Sequence, residues 1–376
     1  MKAVGLVAEY NPFHNGHRYH RQQAQQVTNA DVVVAVMSGN FTQRGVPTIV
    51  DKWHRTREAL QNGVDLVVEL PLFYAVQPAH LFAAGALRLL AGLGVHDVVF
   101  GAEHPHWDFR QLVAAEKDFQ TTSFHRYNAT FATQFNQELA KRTGHQLTAP
   151  NDILAFAYQK AQEEEKLPIA LHAIERVGSA YHDHHLGGKL ASATAIRDAV
   201  AAGHVPEHAV PPQTAADLRE VATVPTWDRL YPLLRNQLIQ APVARLAETY
   251  EVAEGLEYRM KDAAERSLDF LSFQQAVKSK RYTYARLLRA ELYLLLQASA
   301  KEVEAAMEQP YYHVLGFTKA GQRYLHQVKK ELPYPLIVKV DQNLKRGLMN
   351  LDYRAGKLYQ VFTSREQDLK RPPQRL

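Results

Sequence analysis

Short apolar runs and longer amphipathic segments alternate along the first hundred residues of the chain. The apolar runs predict four buried strands, at residues 3–8, 31–38, 65–70 and 97–101. The segments between them have the pattern of helices, at about residues 16–27, 51–62 and 78–93. This alternation is typical of a parallel sheet that helices cover on both faces, so we predict an α/β fold. Ligands of such sheets bind outside the carboxyl ends of the strands.

The pattern becomes mainly helical beyond residue 104. Helices are predicted at residues 107–120, 127–143 and about 151–165, and a last strand at 168–177 is expected to deliver Arg176 to the carboxyl edge of the sheet. Residues 202–226 are rich in Pro, Ala and polar side chains and are predicted to form a linker. Five further helices are predicted at 227–240, 242–250, 258–264, 268–278 and 283–297. We therefore predict an α/β domain over residues 1–205 and a mainly α-helical domain over residues 206–376.

The first predicted strand leads through a tight turn into a helix that begins with two histidines. Asn-Pro and Asn-Gly pairs in the turn place His14 and His17 three residues apart on one helix face. The free N–H groups and the dipole of a helix N-terminus favour an anion there, and the imidazoles add donors for the charge that grows on an α-phosphate. Gly16 leaves room for a nucleotide against the main chain. The motif predicts a nucleotide triphosphate site.

The alternative is that such a pair forms a zinc site or is simply two surface histidines. The chain has 18 histidines, so a pair at this spacing is not by itself specific. The surrounding strand, turn and helix favour the phosphate role, and the chain has no cysteine as a further zinc ligand. Residues 181–185 hold three histidines and an aspartate, but their spacing fits a zinc pattern no better than it fits a solvated loop. We predict no protein metal site.

Polar and charged segments follow the predicted strands at the same edge of the sheet. Residues 39–45 form a polar loop, and residues 51–57 place three cations at the start of a helix. A substrate clamp and an ordinary solvated turn or helix face are both open for these two segments. Gly101 would allow the close approach of a nucleotide base or ribose. The alternative is that this glycine only forms a turn.

A second anion-binding pattern occurs at residues 191–197. Ser192 and Thr194 precede an apolar helix, and Arg197 lies one turn further. Hydroxyls, helix N–H groups and a guanidinium can then converge on one anion, although the same residues also describe an ordinary capped helix.

Composition narrows the class of protein. The 376 residues are enough for two domains, and a formal net charge of +5 permits a polyanionic partner without requiring one. The absence of cysteine excludes disulfides and iron–sulfur clusters, and no segment resembles a signal peptide or a membrane span. We therefore expect a cytoplasmic protein with no membrane partner.

Basic residues are concentrated near the carboxyl end. Residues 321–376 hold 12 Lys and Arg against 5 Asp and Glu. Within residues 278–289, tyrosines alternate with Lys280, Arg281, Arg286 and Arg289, a composition that suits RNA phosphates and unstacked bases. The alternative is an amphipathic helix with a solvated basic face.

Residues 5–20 resemble the H-x-G-H nucleotidyltransferase superfamily, and residues 8–20 closely resemble the bacterial tRNA(Met) cytidine acetate ligase family. Residues 191–197 resemble the superfamily's second signature, S-S-T-x-I-R, with Ala193 in place of one serine. The resemblance extends over essentially the full chain and favours a substrate contact for residues 39–45 and 51–57. It implies a Rossmann-like catalytic domain that converts ATP and acetate into acetyl-adenylate and pyrophosphate. The acetyl group would then pass to N4 of the wobble cytidine in elongator tRNA(Met).

The resemblance also implies the roles of individual residues. His14, His17 and Arg197 would be catalytic, and Mg²⁺ would accompany ATP. The ATP contacts would be Val7, Ala8, Glu9, Tyr10, Asn11, Pro12, Phe13, His14, Asn15, Gly16, His17, Arg18, Tyr19, His20, Gly101, Asn151, Arg176, Ser192 and Thr194. Asn151 could instead be only a helix N-cap. Independently of the resemblance, the basic and aromatic pattern of residues 278–289 predicts RNA contacts at Lys280, Arg281, Arg286 and Arg289, with no DNA partner; the oligomeric state is left open.

Two other functions are the alternatives. A small-molecule adenylyltransferase would need the same histidines but not the long basic helical half. An RNA-binding protein with a degenerate catalytic domain would not need His14 and His17.

Overall fold

A mixed eight-stranded sheet lies at the centre of the described structure. The computed structural model describes residues 1–117, 119, 131–176 and 190–376, with the backbone alone at residues 131 and 132. The strands are β1 (Ala3–Ala8), β2 (Val32–Ser38), β3 (Leu66–Leu70), β4 (Asp97–Ala102), β5 (Ala170–Glu175), β6 (Tyr312–Phe317), β7 (Leu336–Ile337) and β8 (Gln374–Arg375). Their order is β5-β4-β1-β2-β3-β6-β7, and β8 pairs with β6. Strands β1 to β5 are parallel, whereas β6 is antiparallel to β3.

Helices cover both faces of this sheet and form most of the rest of the chain. They are α1 (Asn15–Thr28), α2 (Lys52–Gln61), α3 (Leu72–Ala75), α4 (Ala79–Gly92), α5 (Phe109–Lys117), α6 (Phe131–Thr143), α7 (Pro150–Glu164), α8 (Ala193–Ala201), α9 (Pro212–Arg219), α10 (Trp227–Gln240), α11 (Val243–Ala247), α12 (Leu256–Arg266), α13 (Phe270–Val277), α14 (Tyr284–Leu295), α15 (Ala300–Met307), α16 (Lys319–Val328), α17 (Gln342–Arg346) and α18 (Asn350–Tyr359). None of these helices is long and apolar enough to span a membrane.

Strand β2 shows why the sheet is covered on both sides. All seven of its residues are buried. Val32, Val34 and Val36 pack with α4 on one face, whereas Val33, Ala35 and Met37 pack with α1 and α2 on the other. A continuous run of β-branched and apolar residues is typical of a parallel strand that is buried on both faces.

The predicted α/β fold is confirmed, and so is the predicted position of each of the first five strands. The five helices predicted beyond residue 226 correspond to α10 to α14. The predicted helix ends at residues 120 and 127, and the strand end at residue 177, lie outside the described residues.

The prediction of a linker at residues 202–226 is wrong for its central part. Helix α9 lies within it, and Ala209, Val210 and Leu218 are buried against Ile49 and Val50. The Pro and Ala content that suggested a linker includes two prolines that precede and begin this helix, where proline is well tolerated.

Three short strands near the carboxyl end were not predicted. Strands β6, β7 and β8 extend the sheet beyond β3. They begin well after residue 205, so the sheet contains residues from both predicted domains; the boundary at residue 205 stays a prediction.

A buried charge cluster joins the carboxyl-terminal segment to the sheet. The Lys52 ammonium donates to Glu69 at 2.7 and 2.8 Å and to Asp368 at 2.5 Å, and His313 Nδ1 lies 2.6 Å from Glu69. The ligand atoms of Glu69, His313 and Asp368 lie within 4.8 Å of one another, as in a metal site. Because the Lys52 ammonium lies among these oxygens, it already supplies the positive charge that they require.

The three cations of residues 51–57 therefore have structural partners, and the burial of Lys52 and Arg55 argues against a substrate contact for these two. Lys52 and Arg55 are buried, and the Arg55 guanidinium donates to the carbonyl groups of Glu9, Ser38, Gly39 and Val50. Arg57 donates to Asp217 of α9 at 2.6 Å. A basic run cannot reveal such partners, because most of them are distant in sequence.

We expect Lys52→Met to lower the free energy of unfolding by about 3–5 kcal/mol, because it leaves two buried carboxylates without their counter-charge. Lys357→Met is the matched control, since Lys357 and its partner Glu366 are both partly exposed to solvent; we expect a loss of at most about 1 kcal/mol. Urea unfolding followed by tryptophan fluorescence measures both. Equal losses in the two variants would contradict this account of the cluster.

Candidate active site

The turn after β1 is fixed by contacts from two other segments. Tyr10 has a positive φ of 48°, and the Asn11–Pro12 peptide bond is cis. The Asn11 side-chain oxygen accepts from the backbone N–H of Ile49 at 2.8 Å, and its carbonyl oxygen accepts from Arg197 at 2.8 Å. The turn therefore has one defined position at the carboxyl edge of the sheet.

His14 and His17 cap helix α1 reciprocally. His14 is the N-cap residue, and its Nδ1 accepts from the backbone N–H of Gly16 at 3.0 Å. The Nδ1 of His17 accepts from the backbone N–H of His14 at 3.2 Å. Because Nδ1 is an acceptor in both rings, the proton of each neutral imidazole is on Nε2. The rings stack with centroids 3.7 Å apart and an angle of 28° between their planes, and in each ring the Nε2–H group is not used by the cap.

Both imidazoles are uncharged at neutral pH. Burial, with Arg176 and Arg197 nearby, lowers the pKa of His14 to about 3. Burial, with further repulsion from His14, His20 and Arg176, holds the pKa of His17 well below its ordinary value. Burial likewise lowers the pKa of His20 to about 4, although the bond from its Nε2 to the Val99 carbonyl opposes the shift. Neutral rings that are fixed in this way are hydrogen-bond donors to an anion and do not need a proton from solvent.

The first turn of α8 faces the histidines from the other side of the turn. Ser192 is its N-cap, and its side-chain oxygen accepts from the backbone N–H of Ala195 at 3.0 Å. Arg197 donates to Thr194 Oγ1 at 3.1 Å as well as to the carbonyl of Asn11. The predicted pair of anion-binding motifs thus meets at one place.

Gly101 and Arg176 form the wall above β4 and β5. A Cβ atom at Gly101 would lie 3.0 Å from Cγ of Arg176. The close approach that was expected for a base or ribose is therefore made by the Arg176 side chain, which crosses Gly101.

Asn151 lies in the first turn of α7 and is not its N-cap, which is Ala149. Its side-chain amide donates to Glu103 at 2.6 Å, and the same carboxylate accepts from the backbone N–H groups of Asn151 and Asp152 at 3.1 and 3.0 Å. In turn, the Asp152 carboxylate accepts from the backbone N–H groups of Glu103 and His104, at 3.0 Å each. This reciprocal pairing fixes Asn151 relative to the end of β4.

These elements enclose a cleft of about 250 Å³. The predicted residues that line it are Val7, Ala8, Glu9, Tyr10, Asn11, His14, Gly16, His17, Tyr19, His20, Gly101, Asn151, Arg176, Ser192, Thr194 and Arg197. Pro12, Phe13, Asn15 and Arg18 are not among the lining residues: Pro12 and Phe13 are buried, Asn15 bonds to the carbonyl groups of His208 and Ala209, and Arg18 is exposed.

The apolar part of the lining was not predicted from the sequence. The additional residues are Gln43, Phe82, Phe100, Leu154, Tyr158, Ile174, Glu175, Leu190, Ala191 and Ala193. Most are ordinary core residue types, and only their places next to Gly101, Asn151 and Arg176 could have indicated them. Gln43 comes from the polar loop 39–45, and its backbone N–H donates to the half-buried Glu9 carboxyl at 2.7 Å.

The basic segment 278–289 presents only part of its charge to solvent. Lys280 and Arg281 are exposed. The Arg286 guanidinium lies 3.8 Å from carboxylates of Glu251 and Glu254. Arg289 is buried and pairs with Glu251 at 2.8 Å, so the structure argues against a contact with RNA. The histidine-rich loop 181–185 lies outside the described residues.

Comparison with known proteins agrees with this geometry. A family model of HIGH nucleotidyl transferases matches residues 1–372. A tRNA(Met) cytidine acetate ligase of Limosilactobacillus reuteri is 63% identical and covers 99% of both chains; one from Limosilactobacillus fermentum is 61% identical over the whole of both.

Two solved structures agree over the whole fold. The apo crystal structure of Thermotoga maritima TmcAL matches with a TM-score of 0.91 and 30% identity over 100% of both chains. A crystal structure of the same protein with alpha-thio ATP matches with a TM-score of 0.86, 30% identity and coverage of 98% of this chain and 96% of that one. The chain therefore belongs to the HIGH nucleotidyl transferase family and, within it, to the tRNA(Met) cytidine acetate ligases.

We expect the imidazole nitrogen signals of His14 to stay those of the Nε2–H tautomer from pH 8 to pH 5 in NMR spectra of the free protein. The urea-unfolded protein is the control, because its histidines titrate near pH 6.5. Since the folded pKa lies below the unfolded pKa, the unfolded chain binds more protons as the pH falls, so stability is lost below about pH 6.5. A His14 titration midpoint near pH 6.5 in the folded protein would contradict the neutral-donor assignment.

Proposed function

We propose that this chain is an ATP-dependent ligase that acetylates N4 of the wobble cytidine in elongator tRNA(Met). The observation that carries the proposal is the pair of stacked, neutral imidazoles of His14 and His17, which line one cleft together with Arg197 and the first turn of α8. The family membership and the names of the relatives support the same reaction.

The first step needs no protein nucleophile. An acetate oxygen attacks the α-phosphorus of ATP, the bond from that phosphorus to the bridging oxygen breaks, and pyrophosphate leaves. The protein must therefore align the reactants and stabilise charge on phosphoryl oxygens. We assign this stabilisation to the Nε2–H groups of His14 and His17 and to Arg197, each of which is held in place by the backbone or by Thr194.

The remaining cleft residues suit the nucleoside and its counter-ion. Phe100, Leu154 and Tyr158 provide an apolar wall for the adenine ring, and Asn151 lies beside them. Mg²⁺ would travel with the triphosphate, whose oxygens and waters supply most of its octahedral ligands, so no dedicated protein cage is required.

In the second step the cytidine N4 attacks the acetyl carbon, the bond to the AMP oxygen breaks, and N4 loses a proton. The tRNA must then contact both the cleft and a surface beyond it. We propose that Lys280 and Arg281 belong to that surface, because both are exposed and basic. Arg286 would lie at its edge, where Glu251 partly neutralises its charge.

We expect acetate to accelerate pyrophosphate release from ATP, and labelled acetate to appear on N4 of cytidine in tRNA by mass spectrometry. His14→Asn and His17→Asn should each slow pyrophosphate release by about 100-fold or more, which is the usual loss for one such donor. Asparagine at position 14 still caps α1, so the melting temperature should hardly change. His326→Asn, on the exposed face of α16, is the control.

Two results would overturn this assignment. Near-normal turnover in both histidine variants would remove them from the chemistry. An AMP adduct of a small metabolite, in place of free AMP and acetylated tRNA, would identify a small-molecule adenylyltransferase.

For the tRNA surface, we expect Lys280→Ala/Arg281→Ala to weaken tRNA binding and to reduce the slope of log K against log salt by about 1–2, because each lost phosphate contact releases about one fewer counter-ion. Lys329→Ala/Lys330→Ala removes the same charge from another exposed site and should leave the slope almost unchanged. Filter binding across a salt series measures both. Equal slopes in all three proteins would show that residues 280 and 281 form only a solvated face.

A further inference from the structure

An aromatic cluster lies just beyond the carboxyl end of β4, next to the cleft but not part of its lining. The imidazole of His104 stacks on the indole of Trp107, with centroids 4.2 Å apart and an angle of 8° between the planes. The ring of His145 lies 4.5 Å from the same indole. These contacts form a small stack of rings at the protein surface.

The His104 ring is both exposed and fixed. Its side chain is 45% exposed, whereas that of Asp152 is fully buried. The second oxygen of Asp152 accepts from His104 Nδ1 at 2.6 Å, while the first accepts from two backbone N–H groups. An exposed side chain ordinarily keeps its rotamer freedom, and holding it costs entropy. Here a buried carboxylate and a parallel indole hold one flat ring towards solvent.

The carboxylates of Asp152 and Glu103 also fix the cleft wall. Asp152 is adjacent to Asn151, and Glu103 binds the Asn151 side chain at 2.6 Å. Gly101, three residues before His104, lines the cleft. The stack is therefore in a fixed position relative to the proposed site of acetyl transfer.

We propose that His104, supported by Trp107, is the platform on which an unpaired base of the tRNA stacks while the neighbouring cytidine enters the cleft; this rests on the proposed function. A base can be modified only when it has left its stack, and its neighbours then expose their faces. Proteins bind such bases on aromatic and histidine rings, because every base has a flat π face. A preoriented ring just beyond the carboxyl end of β4, three residues after the cleft residue Gly101, meets this requirement.

Two substitutions at residue 104 separate the flat face from the hydrogen bond. His104→Gln keeps an N–H donor for Asp152 but has no ring, whereas His104→Phe keeps a ring over Trp107 and has no donor. His96→Ala is the control, because His96 is an exposed histidine that precedes β4 and so lies at the opposite end of the same strand.

We expect His104→Gln to weaken binding of an anticodon stem-loop RNA by about 5- to 100-fold, the range for loss of one stacked base. The salt slope should not change, because stacking releases no counter-ions. His104→Phe should bind within about threefold of the unmodified protein, and pyrophosphate release without RNA should be the same in all variants.

Three outcomes would overturn the platform: unchanged RNA binding in His104→Gln, an equal loss in His104→Phe, or slower pyrophosphate release without RNA, which would indicate a distorted cleft. Binding is measured without acetate or ATP. A protein that binds the stem-loop through His104 but does not acetylate it would leave the platform standing and refute the proposed function.

Discussion

The buried guanidinium of Arg55 joins the loops on which the cleft depends. It donates to carbonyl groups at the ends of β1 and β2 and to the segment before α2. One cation thus serves four carbonyl groups, and a hydrogen bond to a charged group contributes about 1.5–3 kcal/mol. Because the Asn11 turn lies two residues after Glu9 and is also bound to Ile49, the position of His14 depends on a cation that is not itself a lining residue of the cleft.

The backbone also decides which protons the histidines present. Reciprocal capping uses the Nδ1 atom of each ring as an acceptor, and the remaining Nε2–H groups are left for a ligand. Burial and the neighbouring guanidinium groups keep the rings neutral, so the tautomer follows from the main-chain geometry at the start of α1. A single local motif thus provides the helix cap, the ring orientation and the charge state.

The features that are local in sequence were the ones that could be predicted. Strands β1 to β5, the His14 and His17 pair and the Ser192 cap each have a signal within about ten residues. Lys52 and Arg55 were misinterpreted as surface cations because Lys52 pairs with Asp368, 316 residues away, and Arg55 binds Glu9, 46 residues away. Strand β6 was missed because its partner β3 precedes it by more than 240 residues, and a short apolar run among helices does not specify a partner.

Neutral donors affect how readily pyrophosphate leaves the cleft between the two steps. Hydrogen bonds from charged groups are roughly twice as strong as those between neutral groups, so a cleft lined with lysines would hold pyrophosphate tightly. Retained pyrophosphate could attack acetyl-adenylate and regenerate ATP. The cleft combines two neutral imidazoles with the guanidinium groups of Arg176 and Arg197, and Arg197 already binds Asn11 and Thr194, so the cleft can stabilise developing charge and still release the leaving group. Such release commits the acetyl group to the next acceptor, which we propose is the cytidine positioned by the tRNA.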